Sequence, residues 1–226
     1  ERSRGLGDVY KRQLNGNAGN AAATALSRNI TYQNTNGNNP STQTRTVRFA
    51  MTNALGEAAT PVTAQVTMAA VNDAPTQSVP GAQVVNEGGT LVFSSANGNL
   101  ISVADVDAES NTVEVTLQVT QGTLTLSGVS GLAFSTGDGT ADAHIVMTGT
   151  VSAINAALAG MSFTPAADNT TTATLTITTS DLGNTGTGGT LSDTDTVTIS
   201  VNAINDAPVN SVPGAQGVNE DLSLIH

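Results

Sequence analysis

The sequence contains no cysteine and no tryptophan, which excludes a disulfide framework, a thiol nucleophile and a zinc–thiolate site. Aromatic residues make up 3% and hydrophobic residues 38%, so any core must be mainly aliphatic. Of the two histidines one, His226, is the last residue, which leaves little for imidazole chemistry. No apolar run approaches the roughly 18 residues of a membrane-spanning helix, and no signal-peptide pattern is visible. The most informative absence is of positive charge. All seven Lys and Arg lie between Arg2 and Arg48, and the 178 residues from Phe49 onward carry 16 Asp and Glu against none. Phosphate binding needs a cationic face, so nucleic acid is excluded as a partner of that stretch. Such a surface repels itself unless small cations bind it, or it is simply acidic for solubility.

What the sequence does contain is a long repeat. Val71-Asn72-Asp73-Ala74-Pro75 returns as Ile204-Asn205-Asp206-Ala207-Pro208, 133 residues later, and Ser78-Val79-Pro80-Gly81-Ala82-Gln83 returns as Ser211-Val212-Pro213-Gly214-Ala215-Gln216. Val85-Asn86-Glu87 matches Val218-Asn219-Glu220, and Ala64, Val66 and Met68 match Val197, Ile199 and Val201 at the same offset. A period of this length indicates an array of sandwich-sized modules, not a solenoid. The expected division is the C-terminal half of one module at 14–72, a complete module at 73–205 and the first strand of a third at 206–221. Residues 1–13 and 222–226 match nothing in the repeat and are read as non-native ends.

The complete module has the pattern of β-structure. Val113, Val115, Leu117 and Val119 alternate with polar residues, as do Leu124/Leu126, Ile145/Met147, Leu175/Ile177 and Val197/Ile199/Val201. Period two with a threonine-rich outer face predicts half-buried strands, and glycine clusters separate them. One short helix is expected after Thr150, with Val151, Ile154 and Leu158 on one face and Gly160 at its C-terminal cap. The fold class is therefore all-β: antiparallel β-sandwich modules in tandem, with one short helix per module.

The chemistry-bearing cluster is Asp105-Val106-Asp107-Ala108-Glu109-Ser110-Asn111. Two carboxylates about 4 Å apart repel by roughly 4 kcal/mol at an effective dielectric near 20. No Lys or Arg is available nearby to offset this. A divalent cation would, and an all-oxygen set suits calcium; the alternative is a solvated acidic turn whose side chains splay apart. Further acids and amides recur at Asn72-Asp73, Glu87, Asp181, Asn205-Asp206 and Glu220.

These residues resemble the cadherin fold, in particular the tandem repeats of large bacterial surface adhesins. The module-ending pattern appears as Val197-x-Ile199-x-Val201-Asn202-Ala203-Ile204-Asn205-Asp206-Ala207-Pro208. The Glu that follows that proline matches Glu87 and Glu220, the Asp-x-Asp loop matches Asp105 and Asp107, and the late Ala-x-Asp-x-Gly segment resembles Thr179-Ser180-Asp181-Leu182-Gly183. The resemblance covers roughly residues 20–221. It implies Ig-like/cadherin-like sandwiches and calcium (Ca2+) held at inter-module junctions by Asn72, Asp73, Glu87, Asp105, Asp107, Asn111, Asp181, Asn205 and Asp206. It also implies an extracellular, cell-surface location. Departures are Ala70 and Ala203 at the first linker Asp, Ala74 and Ala207 at the last linker Asn, and Asn53 where the late Asp is expected, so fewer ions per junction are expected.

The resemblance allots Asn72, Asp73, Asp105, Asp107 and Asn111 to the first junction, and Glu87, Asp181, Asn205 and Asp206 to the second. The next Asp-x-Asp would fall at position 238, past His226. Neither junction is then whole, and partial calcium occupancy is expected. Residues 14–72 lack the early strands of their module, so residues 14–45 are expected to be poorly ordered. The functional expectation is a non-enzymatic, calcium-stiffened structural or adhesive segment. Its partners are neighbouring repeats of the same chain, with homophilic or surface glycan and protein contacts open to it and no membrane insertion. The alternative is a module that itself binds glycan or protein without calcium stiffening. His144 is expected at a strand start, not in a catalytic triad.

Overall fold

The structure, a computed structural model, describes residues 43–53, 55–208, 210–212, 214–215 and 217. Thirteen strands and one helix are formed among them. The expected ends at 1–13 and 222–226, Glu220, and residues 14–42 of the stretch expected to be poorly ordered lie outside the described residues; Arg45 opens the first strand.

The first two strands, β1 (Arg45–Phe49) and β2 (Val62–Val66), form an antiparallel sheet of their own. The rest builds one larger body. It contains β3 (Thr76–Ser78), β4 (Gln83–Asn86), β5 (Leu91–Val92), β6 (Ser102–Ala104), β7 (Thr112–Val119), β8 (Gly122–Thr125) and β9 (Ala133–Thr136). It continues with β10 (His144–Thr150), α1 (Val151–Leu158), β11 (Ser162–Pro165), β12 (Ala173–Ser180) and β13 (Ser192–Asn202). A six-stranded sheet runs β4-β13-β12-β7-β10-β9, a three-stranded sheet runs β5-β11-β8, and β3 pairs with β6.

Alternation in the sequence becomes alternation in burial. Val113, Val115, Leu117 and Val119 of β7 turn inward, as do Ala173, Leu175 and Ile177 of β12 and Val197, Ile199 and Val201 of β13. They join Ile145 and Met147 of β10, Leu124 of β8, Phe163 of β11 and Phe93 in one contiguous core. On the outer face threonines pair across strands, as Thr178 and Thr194 do through their hydroxyls at 2.9 Å. Gly122 is required where β8 crosses β11, because a Cβ there would lie 2.4 Å from the Phe163 ring and 2.4 Å from the Thr164 carbonyl oxygen.

The helix forms where expected. The Thr150 hydroxyl accepts from the Ala153 N–H, and Ile154 and Leu158 are fully buried. Its C-cap is Ala159, with Gly160 one position later at φ +105°; that is where a left-handed residue ends a helix at least cost. Asn155 ties α1 to β6, donating to the Val103 carbonyl and accepting from the Val103 N–H, both at 2.8 Å.

One expectation is corrected. The sheets are not wholly antiparallel: β4 pairs parallel to β13, from Ile199↔Gln83 to Asn202↔Asn86. Parallel partners need a long connection, and here nearly the whole module intervenes. No strand is formed among the described residues of 206–217. Their counterparts in β3 pair with β6, whose own counterpart would begin at position 235.

The pairing also aligns the two copies. Arg45↔Val66 to Phe49↔Val62 in β1–β2 has the register of Ala173↔Ile199 to Ile177↔Asp195 in β12–β13. Arg45, Val47 and Phe49 thus stand where Ala173, Leu175 and Ile177 stand, but half-buried instead of fully buried. Among the described residues no third strand flanks this hairpin, whereas β7 and β4 flank its counterpart.

Candidate functional site

The candidate site residues named from the sequence fall at two places. The first is formed by the segment entering β3, the loop after β6 and the loop between β12 and β13. After β6 the chain turns sharply, because Asp105 Oδ1 accepts from the N–H groups of both Asp107 and Ala108 at 3.1 Å. That turn buries Asp107, which is 1% exposed. Asp107 Oδ2 accepts from the Asp73 N–H at 2.8 Å, tying the turn to the segment before β3.

Asp181 follows the end of β12 and is fully buried. Its Oδ1 accepts from the N–H groups of Gly183 and Leu191, each at 2.8 Å, closing the loop between β12 and β13. Its Oδ2 accepts from Asn72 Nδ2 at 2.5 Å. The same Nδ2 donates to the Gly189 carbonyl at 2.8 Å, so two acceptors fix the amide's orientation. Asn72 is 4% exposed. Asn111 is exposed at the rim, with its amide on the Thr185 hydroxyl at 3.3 Å.

Four buried side-chain atoms have no hydrogen-bond partner, and all four are acceptor oxygens: Asn72 Oδ1, Gln77 Oε1, Asp105 Oδ2 and Asp107 Oδ1. Three of the four belong to this one gathering. Orphaned buried acceptors are uncommon and each calls for an explanation. Burial, and then the neighbouring Asp107 carboxyl, hold the Asp105 carboxyl above the ordinary aspartate range; the main-chain donors of Asp107 and Ala108 act in the opposite direction. Carboxylates held this close in a buried setting call for a proton or a metal ion. Among the described residues no three His, Cys, Asp or Glu side chains converge as a metal-holding group. Calcium does not require that, because amide, main-chain and water oxygens complete its shell. The donor set here, two carboxylates and an amide oxygen with free lone pairs, fits a hard cation.

The second gathering is looser. Glu87 Oε1 accepts from the Ile204 N–H at 2.5 Å, and the Glu87 N–H donates to the Asn202 carbonyl at 2.9 Å. Asn205 and Asp206 follow, both exposed; the Asn205 amide reaches only the Asp206 carbonyl at 3.4 Å.

No family model matches the chain, and no curated protein matches it.

The structure ties Asp73 to Asp107, Asp105 to Asp107 and Asn72 to Asp181, and sets Asn111 against Thr185 of the loop between β12 and β13. It corrects the allotment of Asp181, which packs against Asn72 and not with Glu87, Asn205 and Asp206. The physical reason is strand direction: antiparallel β12 and β13 place their connecting loop at the end where the chain enters β3. Sequence reasoning missed Gly189, Thr185 and Thr187, which reach the same place from that loop. Their signal was the glycine-rich run 183–189, read only as a strand breaker.

Proposed function

We propose that this chain is a segment of a tandem array of Ig-like, cadherin-like β-sandwich modules in a large bacterial surface protein. In this reading it acts outside the cell as a structural, adhesive spacer stiffened by calcium, and it is not an enzyme. The observation that carries the metal is the set of partnerless buried oxygens on Asn72, Asp105 and Asp107 at one end of a module that holds no Lys or Arg. Asn72, Asp105 and Asp107 would hold the ion directly, with Asp181 orienting the Asn72 amide and Asp73 and Asn111 at the margin. The ion would supply the positive charge that lets these carboxylates remain ionised and close together.

With Asp181 at the first gathering, one ion site has all its named side chains on this chain, Asn72 from the linker and the others from the module that follows it. We therefore expect this chain to bind one calcium ion, where the allotment from sequence left both junctions incomplete. Glu87, Asn205 and Asp206 remain half of a second site, to be completed by a following repeat.

The repeat itself supports the array: the 133-residue recurrence of Asn-Asp-Ala-Pro and the equal strand register of β1–β2 and β12–β13 describe two copies of one unit. No helix among the described residues is long and apolar enough to cross a membrane. Direct glycan binding is less well supported, since among the described residues Phe93 and Phe163 are buried and Phe49 and Phe134 half-buried, leaving no open aromatic platform. The test is small-angle scattering of two consecutive copies of residues 73–205. Calcium should narrow the spread of inter-module angles and lengthen the particle relative to chelator. Identical profiles in both would overturn the stiffening role.

A further inference from the structure

The tripeptide Ala70-Val71-Asn72 and its repeat counterpart Ala203-Ile204-Asn205 are held in two different ways within this one chain. At the first, the loop between β12 and β13 grips the main chain. Thr187 pairs with Val71 in a parallel bridge: the Thr187 N–H donates to the Ala70 carbonyl and the Asn72 N–H donates to the Thr187 carbonyl, both at 3.0 Å. The Asn72 side chain adds its bond to Gly189. Gly186 makes the approach possible. It lies at φ +135°, and a Cβ there would stand 2.6 Å from the Asn72 nitrogen and 2.7 Å from the Val71 carbonyl carbon. Ala70 and Asn72 are buried by this grip.

At the second, the central residue is held by the module that precedes it: Glu87 accepts from the Ile204 N–H. Ala203 and Asn205 are exposed, and among the described residues neither the Ala203 carbonyl nor the Asn205 N–H has a partner. The two grips use alternate groups. In an extended chain the groups of the central residue point away from those that its neighbours offer on the other side. The preceding module takes the N–H of residue 204, and the loop of a following module would take the carbonyl of 203 and the N–H of 205.

We propose that a linker tripeptide leading into a module with the long loop is a strand shared by both neighbouring modules, gripped simultaneously from the two sides by main-chain hydrogen bonds that need no metal. The occupant of the exposed Ala203–Asn205 edge is thus the loop of a second copy of this module. β13 is paired up to Asn202, so no free residue would separate its end from the next module's grip. The grip requires the long loop. The first copy turns from Asn53 to Glu57 in five fewer residues: the offset between copies is 128 residues before this turn and 133 after it. Asn53 Oδ1 there closes the turn on Leu55 and Glu57 alone. A module with the short turn would leave the linker before it ungripped. The proposal rests on the tandem-array part of the proposed function and not on calcium.

Amide hydrogen exchange in chelator tests it, first on the full chain and then on the full chain continued after Asn205 by another copy of residues 73–205. In the full chain, Asn72, Thr187 and Ile204 should exchange at least 100-fold slower than unprotected amides, and Asn205 at the unprotected rate. In the continued chain Asn205 should slow by at least 100-fold while Ile204 stays protected. Gly186→Ala and Thr187→Pro should each release Asn72 while leaving Leu117 in β7 protected, which separates loss of the grip from unfolding. Fast exchange of Asn72 in the full chain, or an Asn205 amide that stays unprotected in the continued chain, overturns the proposal. Failure of calcium to bind would leave all these readouts unchanged.

Discussion

Removing the Asp181 carboxylate should be among the costliest single changes to this module. Asp181 is fully buried and accepts three hydrogen bonds, from the Gly183 and Leu191 N–H groups at 2.8 Å and from the Asn72 amide at 2.5 Å. Asp181→Ala leaves three donors without their acceptor, at about 1–3 kcal/mol for each that stays dry. Water admitted to the loop recovers part of this. The net expectation in chelator is a loss of about 3 kcal/mol, which for a domain of this size is a fall in Tm of about 6–12 °C. Asp181→Asn isolates the Asn72 contact. It keeps an oxygen for Gly183 and Leu191 but turns an amide donor toward the Asn72 donor, so it should cost about 1–2 kcal/mol. Urea unfolding followed by far-UV circular dichroism, with both variants in one buffer, measures the series. A loss below about 1 kcal/mol for Asp181→Ala would refute the reasoning, because a buried carboxylate with three donors cannot be that cheap to remove.

Three further outcomes follow from the same geometry. Because the Asp105 pKa is raised in the folded chain, its stabilising contribution is complete below the unfolded value near 4 and is lost as pH rises through the folded value. In chelator the stability of the unsubstituted chain relative to Asp105→Asn should therefore fall as pH climbs from about 4, and calcium should abolish that fall; a relative gain over the same range contradicts the assignment. Gly122→Ala drives a methyl into the Phe163 ring and the Thr164 carbonyl and should cost about 3 kcal/mol, read as a lower urea midpoint; an unchanged midpoint would mean β8 and β11 are not in contact in solution. Thr150→Ala removes the cap of α1 and should cost about 1 kcal/mol, with Thr150→Ser restoring most of it.

Much of the fold was legible because its signals are local. Val113 to Val119, Ala173 to Ile177 and Val197 to Val201 announce their inward faces by simple alternation, and Thr150 with Gly160 brackets the helix within eleven residues. His144 opens β10, as its place before Ile145 and Met147 suggested. The site was legible in its parts and not in its assembly. Asp105-Val106-Asp107 is a local turn that the sequence displays directly. Asp181 reaches Asn72 across 109 residues of chain, and only the pairing of β12 with β13 decides which end of the module it occupies. The parallel seating of β4 on β13 was hidden for the same reason, since nothing in Gln83–Asn86 records the direction of its partner. The grip of Thr187 on Val71 was hidden in a run of glycines whose positive φ values, at Gly183, Gly186, Gly188 and Gly189, have meaning only against the chain they approach.

The central claim is that the partnerless oxygens of Asn72, Asp105 and Asp107 receive a metal ion. Thermal unfolding of the 226-residue chain in chelator and in excess calcium tests it most directly. At about 100 times the dissociation constant, binding to the folded state alone adds roughly 2.7 kcal/mol, so Tm should rise by about 5–11 °C, and Asp107→Asn should erase most of the rise. A Tm that is the same with and without the ion at every calcium concentration would contradict the account.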